Sequence, residues 1–151
     1  MLPYSSLYEV HPSDLDGNGH VNYAAYIDAA AGVRYGFFAG NGYPPERFSG
    51  LGQGPVYTDL HARFFREVLL GETLTITYPL TGLSPRAGRW KVHHDLLKSN
   101  GKKAVSLDIE GALLDLATRR PAFPSPEIAR IFALIPRASG FEVLPDSLWR
   151  T

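Results

Sequence analysis

Two carboxylates, an imidazole and two glycines fall within nine residues, Asp14-Leu15-Asp16-Gly17-Asn18-Gly19-His20-Val21-Asn22, the densest run of chemically capable side chains in the sequence. Three chemistries fit such a run. The first is calcium binding, because Asp14, Asp16, Asn18 and Gly19 match the opening positions of an EF-hand loop. It fails where that loop needs its bidentate Glu, since the place is taken by Ala25, and the residues before Asp14 read as a strand ended by Pro12 where an EF-hand has a helix. The second is acyl-group chemistry. Asn22 can cap a helix that begins at Tyr23, leaving the N–H groups of Tyr23, Ala24 and Ala25 pointing back at the glycine turn. One donor so placed lowers the barrier to a developing oxyanion by about 3 kcal/mol, and a nearby carboxylate can serve as nucleophile or general base at an acyl carbonyl. The third is purely local: Asp14 and Asp16 can simply close Asx turns. Spacing alone leaves the second and third open.

The elements on either side must hold that run in place. Tyr4, Ser6, Tyr8 and Val10 alternate with Ser5, Leu7, Glu9 and His11, the period of a strand. From Asn22 to Ala39 only Asp28 and Arg34 are charged, and the remainder is Ala, Gly, Tyr, Val, Ile and Phe at a length too great for one strand. This segment reads as a helix, apolar or small nearly all round and so expected to have protein on most sides. Gly40 to Pro55 is rich in Gly and Pro and is expected to lack regular structure.

Strand patterns follow. Val56, Thr58, Leu60, Ala62, Phe64 and Val68 fall on one side and Tyr57, Asp59, His61, Arg63 and Glu67 on the other. Leu74, Ile76, Tyr78 and Leu80 alternate with threonines, and Trp90, Val92, His94 and Leu96 oppose Arg89, Lys91, His93 and Asp95. Asn100-Gly101 signals a hairpin before Val105, Leu107, Ile109 and Leu113, with Gly111 read as a bulge that turns the inward face toward Leu114 and Leu116. Ser125-Pro126 opens a short closing helix with Ile128, Ile131, Phe132 and Ile135 on one stripe. The order strand, helix, four strands, helix predicts an α+β fold: a largely antiparallel five-stranded sheet whose concave face holds the long helix.

Composition narrows the function. The chain has 151 residues, fifteen basic and fifteen acidic, and no cysteine. That length suits a single domain, 1–151, with a real core. Disulfides, thiolate metal sites and a cysteine nucleophile are excluded. The balanced charge lacks the basic surplus a nucleic-acid partner requires. The longest stretch free of charge, Thr73 to Pro85, falls well short of the ~20 apolar residues of a membrane span, and the first ten residues carry no secretion signal, so a soluble cytoplasmic protein is expected. His93, His94 and Asp95 do not make a metal site, because neighbours on a strand point to opposite faces. His94 is expected buried and His93 exposed. Asp59, His61 and Arg63 share a face expected to meet solvent or an interface.

The run from Asp14 to Tyr26 resembles the D-x-D-x-x-G-H-V-N signature of hotdog-fold acyl-CoA thioesterases of the 4-hydroxybenzoyl-CoA thioesterase type. The likeness extends to Arg34, near the end of an E-x-A-R-like stretch, to Phe64–Thr75 with its Gly71-Glu72 turn, and to the Pro124 to Ile131 tail. It implies a hotdog fold, no metal and no cofactor, and a homo-oligomer, dimer or tetramer, with sites between protomers. It implies Asp16 as the catalytic carboxylate and the Tyr23 backbone N–H as oxyanion donor. His20, Asn22 and Tyr26 would border the substrate, with His20 and Asn22 shaping the loop and capping the helix. Ala31 stands where many relatives carry Glu. Arg86, Arg89 and Lys91 could meet coenzyme A phosphates, or simply form a solvated turn. An acyl-carrier-protein thioesterase and a non-catalytic acyl-binding domain are the alternatives.

Overall fold

The computed structural model describes residues 4–147. Its centre is the hairpin of β5 (Arg89–Leu97) and β6 (Lys103–Asp115), turned at Gly101, whose φ of 81° suits glycine. β6 carries β2 (Gln53–Phe64) on its other side and a short return strand, β7 (Arg120–Ala122). Beyond β5 lie β3 (Thr73–Thr77) and then β1 (Ser5–Glu9) along one half. Along the other half lie β4 (Leu80–Leu83) and then β8 (Arg137–Val143). Every pairing is antiparallel except β4 with β8. The sheet is that of a hotdog fold, and α1 (Tyr23–Gly40) lies against its inner face.

The five expected strands are present, with three differences. The run expected as one strand from Thr73 to Leu80 breaks into β3 and β4 at Pro79, which has no N–H for the ladder. β7 and β8 are additional. The Gly- and Pro-rich segment expected to be irregular holds a helix, α2 (Pro45–Gly50). There Pro45 sets the φ of the first turn, and buried Phe48 anchors it against Phe38 and Tyr43.

Gly111 does not switch the inward face of β6. Val105, Leu107, Ile109 and Leu113 stay buried in one phase through it. The irregularity lies instead on β2, between Tyr57 and Asp59. Gly111 is glycine because the Trp90 ring fills its side-chain space: a Cβ there would sit 2.2 Å from Trp90 Cζ2 and 2.6 Å from the Val56 carbonyl oxygen.

Against expectation, α1 is covered on one side only. Ala25, Tyr26, Ala29, Ala30, Val33, Arg34, Phe37 and Phe38 are buried, while Ala24, Asp28, Gly32, Tyr35 and Gly36 are exposed. Its burial is periodic although its hydropathy is not, so packing chooses the face. Leu60 and Phe64, read on the apolar side of this strand, are 45% and 52% exposed, and Val68, read on the same side, is buried but lies beyond the strand. Among the described residues β2 pairs only with β6, so its other edge has no strand partner there. α3 (Pro126–Leu134), capped by Ser125 as expected, buries Ile128, Ile131 and Phe132.

The outer face of β5 and β6 is a charge ladder. His93, expected exposed, is half-buried: its Nδ1 donates to Asp108 at 2.7 Å and its Nε2 to Asp95 at 2.8 Å, while Ser106 and Lys103 also hold Asp95. Burial pulls the His93 pKa down, but the hydrogen bonds to Asp108 and Asp95 outweigh it and hold it above 6.5. The protonated ring is therefore favoured by folding, and its contribution is full below pH 6.5 and lost as pH rises through the elevated folded value. His93→Gln should flatten the pH dependence of stability in that window, measured by urea unfolding from pH 5 to 9; an unchanged slope would count against the pairing.

Candidate active site

The acidic run folds as a tight loop between β1 and α1. Pro12–Asp14 forms one 3-10 turn, and Leu15 then bridges to Val21. Asp16 N–H donates to the His20 carbonyl at 2.9 Å, and Val21 N–H to the Val68 carbonyl at 2.9 Å, which ties the loop to the segment after β2. Gly19, with φ at 80°, makes the reversal possible.

The two carboxylates have different work. Asp14 accepts from the Tyr8 hydroxyl at 2.7 Å and from His11 N–H at 2.8 Å, and its carbonyl accepts from both the backbone N–H and the side-chain amide of Asn22. It is a structural clamp between β1 and the helix start. Tyr8 is consequently pushed up to about 12, by burial first and by the Asp14 bond next. Asp16 closes an Asx turn through Oδ1 to Asn18 N–H at 2.8 Å, and its Oδ2 lies 3.1 Å from His20 Nδ1. Because the two carboxylates engage separate partners, they do not form a shared cation cage.

Asp16 also lines an open cleft of about 410 Å³ with His20, Tyr23, Tyr26, Phe64 and Arg66. The cap takes one of the three N–H groups expected to be free: Asn22 Oδ1 accepts from Ala25 N–H at 3.1 Å. The Tyr23 and Ala24 N–H groups have no acceptor among the described residues. A carboxylate, a positively polarised helix end and an aromatic wall of Tyr26 and Phe64 thus border one space. Asn22→Ala, which removes the cap and the bond to the Asp14 carbonyl, should cost about 1 kcal/mol of stability, read by thermal unfolding; an unchanged melting temperature would contradict this role.

Arg86, Arg89 and Lys91 do not line this cleft. Arg89 pairs with Glu110 at 2.6 Å, Lys91 pairs with Glu142 at 2.9 Å, and the Arg86 guanidinium stacks over Phe123. Arg66 lines the cleft with Asp16, and its guanidinium donates to the Lys103 carbonyl. Arg66 follows the end of β2, where alternation no longer says which way a side chain points, so the sequence carries no signal for it.

A second polar centre lies further along α1. Arg34, 6% exposed, donates from Nη1 to His94 Nε2 at 2.9 Å, and His94 Nδ1 meets the Thr77 carbonyl at 2.7 Å. The carbonyl places the imidazole proton on Nδ1, so Nε2 accepts from Arg34. Burial first, and the Arg34 charge next, push His94 down to about 3, so the ring stays neutral.

The model of the thioesterase-like superfamily matches the chain from residue 10 to residue 132. No curated protein sequence matches it. Among solved structures, a 1,4-dihydroxy-2-naphthoyl-CoA thioesterase from Synechocystis superposes with a TM-score of 0.79 at 12% identity, over 88% of this chain and 97% of that one. A hypothetical protein from Staphylococcus aureus, solved in complex with CoA, gives 0.80 at 18% identity over 99% and 90%. A DHNA-CoA thioesterase from Staphylococcus aureus gives 0.79 at 15% identity over 88% and 90%.

Proposed function

The chain belongs to the thioesterase-like superfamily, and on that premise we propose that it hydrolyses an acyl-CoA thioester to free acid and CoA. The observation that carries this reading is the meeting of the Asp16 carboxylate and the acceptor-free helix start at Tyr23 on one cleft. The thioester carbonyl oxygen would take the Tyr23 N–H. Asp16 would attack the carbonyl carbon, or take a proton from the attacking water, and the CoA thiolate would leave. His20 lies beside the Asp16 carboxylate, its Nδ1 3.1 Å from Oδ2 and 3.2 Å from the Val21 carbonyl oxygen, and Asn22 fixes the helix start that presents the donor. Tyr26 and Phe64 offer an apolar wall to the acyl group. For the phosphates we favour Arg66, which borders the cleft. The Arg86, Arg89 and Lys91 turn could serve a neighbouring protomer's site once Glu110 and Glu142 are displaced.

We also propose a homo-oligomer. Tyr23, 71% exposed, lines the cleft with exposed Phe64 and Phe65, and β2, whose only paired neighbour among the described residues is β6, also exposes Tyr57 and Leu60. An unpaired edge flanked by apolar side chains favours association with a second copy. Light scattering should give the mass of a dimer or tetramer; a strictly monomeric species would contradict this. A cysteine-free chain with no described helix long and apolar enough to cross a membrane fits a cytoplasmic setting.

The test is thiol release from short-chain, long-chain and aromatic acyl-CoAs and from acyl groups on an acyl carrier protein. Turnover of acyl-CoA above background is expected. Turnover only from the carrier protein would favour the carrier-specific reading, and acyl-CoA binding without thiol release a binding domain.

A further inference from the structure

One edge of β2 is laddered to β6, and the other has no strand partner among the described residues. Phe65 N–H donates to the Ala104 carbonyl at 2.8 Å. Backbone groups alternate in direction along a strand, so those of Asp59, His61 and Arg63 turn toward β6 and those of Leu60, Ala62 and Phe64 toward the free edge. The side chains sort by face. Asp59, His61 and Arg63 stand on the outer face opposite Glu110, Asp108 and Ser106, while Leu60 and Phe64 lie on the inner face and are exposed there. Asp59 therefore faces a like charge, Glu110, whose own partner is Arg89, and the Asp59 carboxylate has no ion pair among the described residues. Arg63 reaches His61 Nε2 alone, at 3.1 Å. An anion and a cation two residues either side of His61 thus lie beside an unpaired edge.

An edge that carries its own complement fits a second copy of the chain. Two β2 strands antiparallel about a two-fold axis form a ladder only where free-edge groups meet free-edge groups. Leu60, Ala62 and Phe64 must then pair among themselves, which requires the axis to pass through a residue. The irregularity between Tyr57 and Asp59 and the strand end at Phe64 confine it to the middle of that stretch. With the axis on Leu60, Asp59 faces His61 of the partner subunit; with it on Ala62, Asp59 faces Phe65 of the partner subunit. Only with the axis on His61 does each Asp59 face Arg63 of the partner subunit. We propose that the homo-oligomer is built on this β2–β2 ladder, its two-fold axis through His61 and an Asp59–Arg63 ion pair on either side. Opposite charges directly across a ladder attract and like charges repel, so these four side chains fix the register. Leu60 then packs against Ala62 of the partner subunit, and Phe64 stands opposite Thr58 of the partner subunit. Because Phe64 lines the Asp16 cleft, each cleft is bordered by the other copy. This assignment deepens the oligomeric reading above and rests on it.

The chain has no cysteine, so single introduced thiols read the register directly. Opposed residues that exchange no hydrogen bonds have Cα atoms about 4.5 Å apart, within the ~4.4–6.8 Å that a disulfide spans. His61→Cys should therefore cross-link to itself across the axis under mild oxidation, giving a covalent dimer on a non-reducing gel. Asp59→Cys and Arg63→Cys, also at exposed positions, should each stay uncross-linked, because each faces the other's position, and the double variant should cross-link. Charge reversal gives a second reading that needs no disulfide. In an equimolar mixture of Asp59→Arg and Arg63→Asp, mixed dimers should exceed either like pair at least tenfold, since only the mixed pair sets opposite charges against each other. Absence of the His61→Cys cross-link, self-cross-linking of Asp59→Cys or Arg63→Cys, or random mixing of the charge variants would overturn the register. If His61→Cys does not fold, the mixture decides. An oligomeric mass without the cross-link removes the register alone, and a monomeric wild-type protein removes the oligomer as well. Thiol release from acyl-CoA reports the thioesterase reading separately from both.

Discussion

Asp16→Asn should lower kcat for thioester hydrolysis by a factor on the order of 10²–10⁴, the range expected when a positioned carboxylate is removed from proton transfer or attack. Asn is the informative replacement because the structure separates the two uses of this side chain. Oδ1 holds Asn18 N–H in the Asx turn, and Oδ2 faces His20. An Asn retains the turn through its amide oxygen while losing the negative charge and the basicity. The melting temperature should therefore stay close to the wild-type value while turnover collapses. A variant that keeps its activity would make Asp16 a turn residue and nothing more, the local reading that spacing left open. A variant that loses activity and stability together would be uninformative at Asn, and Asp16→Glu then decides, since it keeps the carboxylate and displaces it: restored turnover assigns chemistry to the charge.

The largest stability effect is expected at Gly111. In Gly111→Ala the new Cβ meets the edge of the Trp90 indole at 2.2 Å and 2.6 Å, and the Val56 carbonyl oxygen at 2.6 Å. The indole could tilt, but the carbonyl belongs to the paired strand β2 and cannot retreat without opening the ladder at Tyr57. Overpacking of this kind costs about 3 kcal/mol or more, which for a chain of this length lowers the melting temperature by roughly 6–12 °C. Because the Trp90 indole must give way to the new methyl group, the variant should also change tryptophan emission. Thermal unfolding is the check, and a melting temperature within 2 °C of wild type would show that β2 yields more easily than its register implies.

Local chemistry was legible in the sequence, and long-range placement was not. The loop from Asp14 to Asn22 could be read because its hydrogen bonds close within a few residues: the Asx turn at Asp16 and the cap at Asn22 depend on little outside the loop. The strands around Leu74 and Ile76 and around Trp90 and Val92 were legible because one face of each is buried and the alternation survives. β8 was not, since Arg137-Ala-Ser-Gly-Phe-Glu-Val barely alternates, and its parallel pairing with β4 joins segments far apart in the chain. α2 was hidden by counting Pro44 and Pro45 only as breakers, although a proline at the first helical position favours the helix. The covered face of α1 could not be chosen from hydropathy, because Ala and Gly populate both sides. The contact between Arg34 and His94 spans sixty residues and joins two side chains that, read singly, looked like a family landmark and a bland core histidine.

In the proposed reaction the thioester carbonyl sits between the helix start and Asp16. A structure of the protein with an acyl-CoA analogue in which methylene replaces the thioester sulfur, so that the carbonyl persists and cannot be hydrolysed, tests this directly. The expected result is a carbonyl oxygen about 2.7–3.1 Å from the Tyr23 nitrogen, with the Asp16 carboxylate facing the carbonyl carbon. A carbonyl bound away from both groups would contradict the assignment.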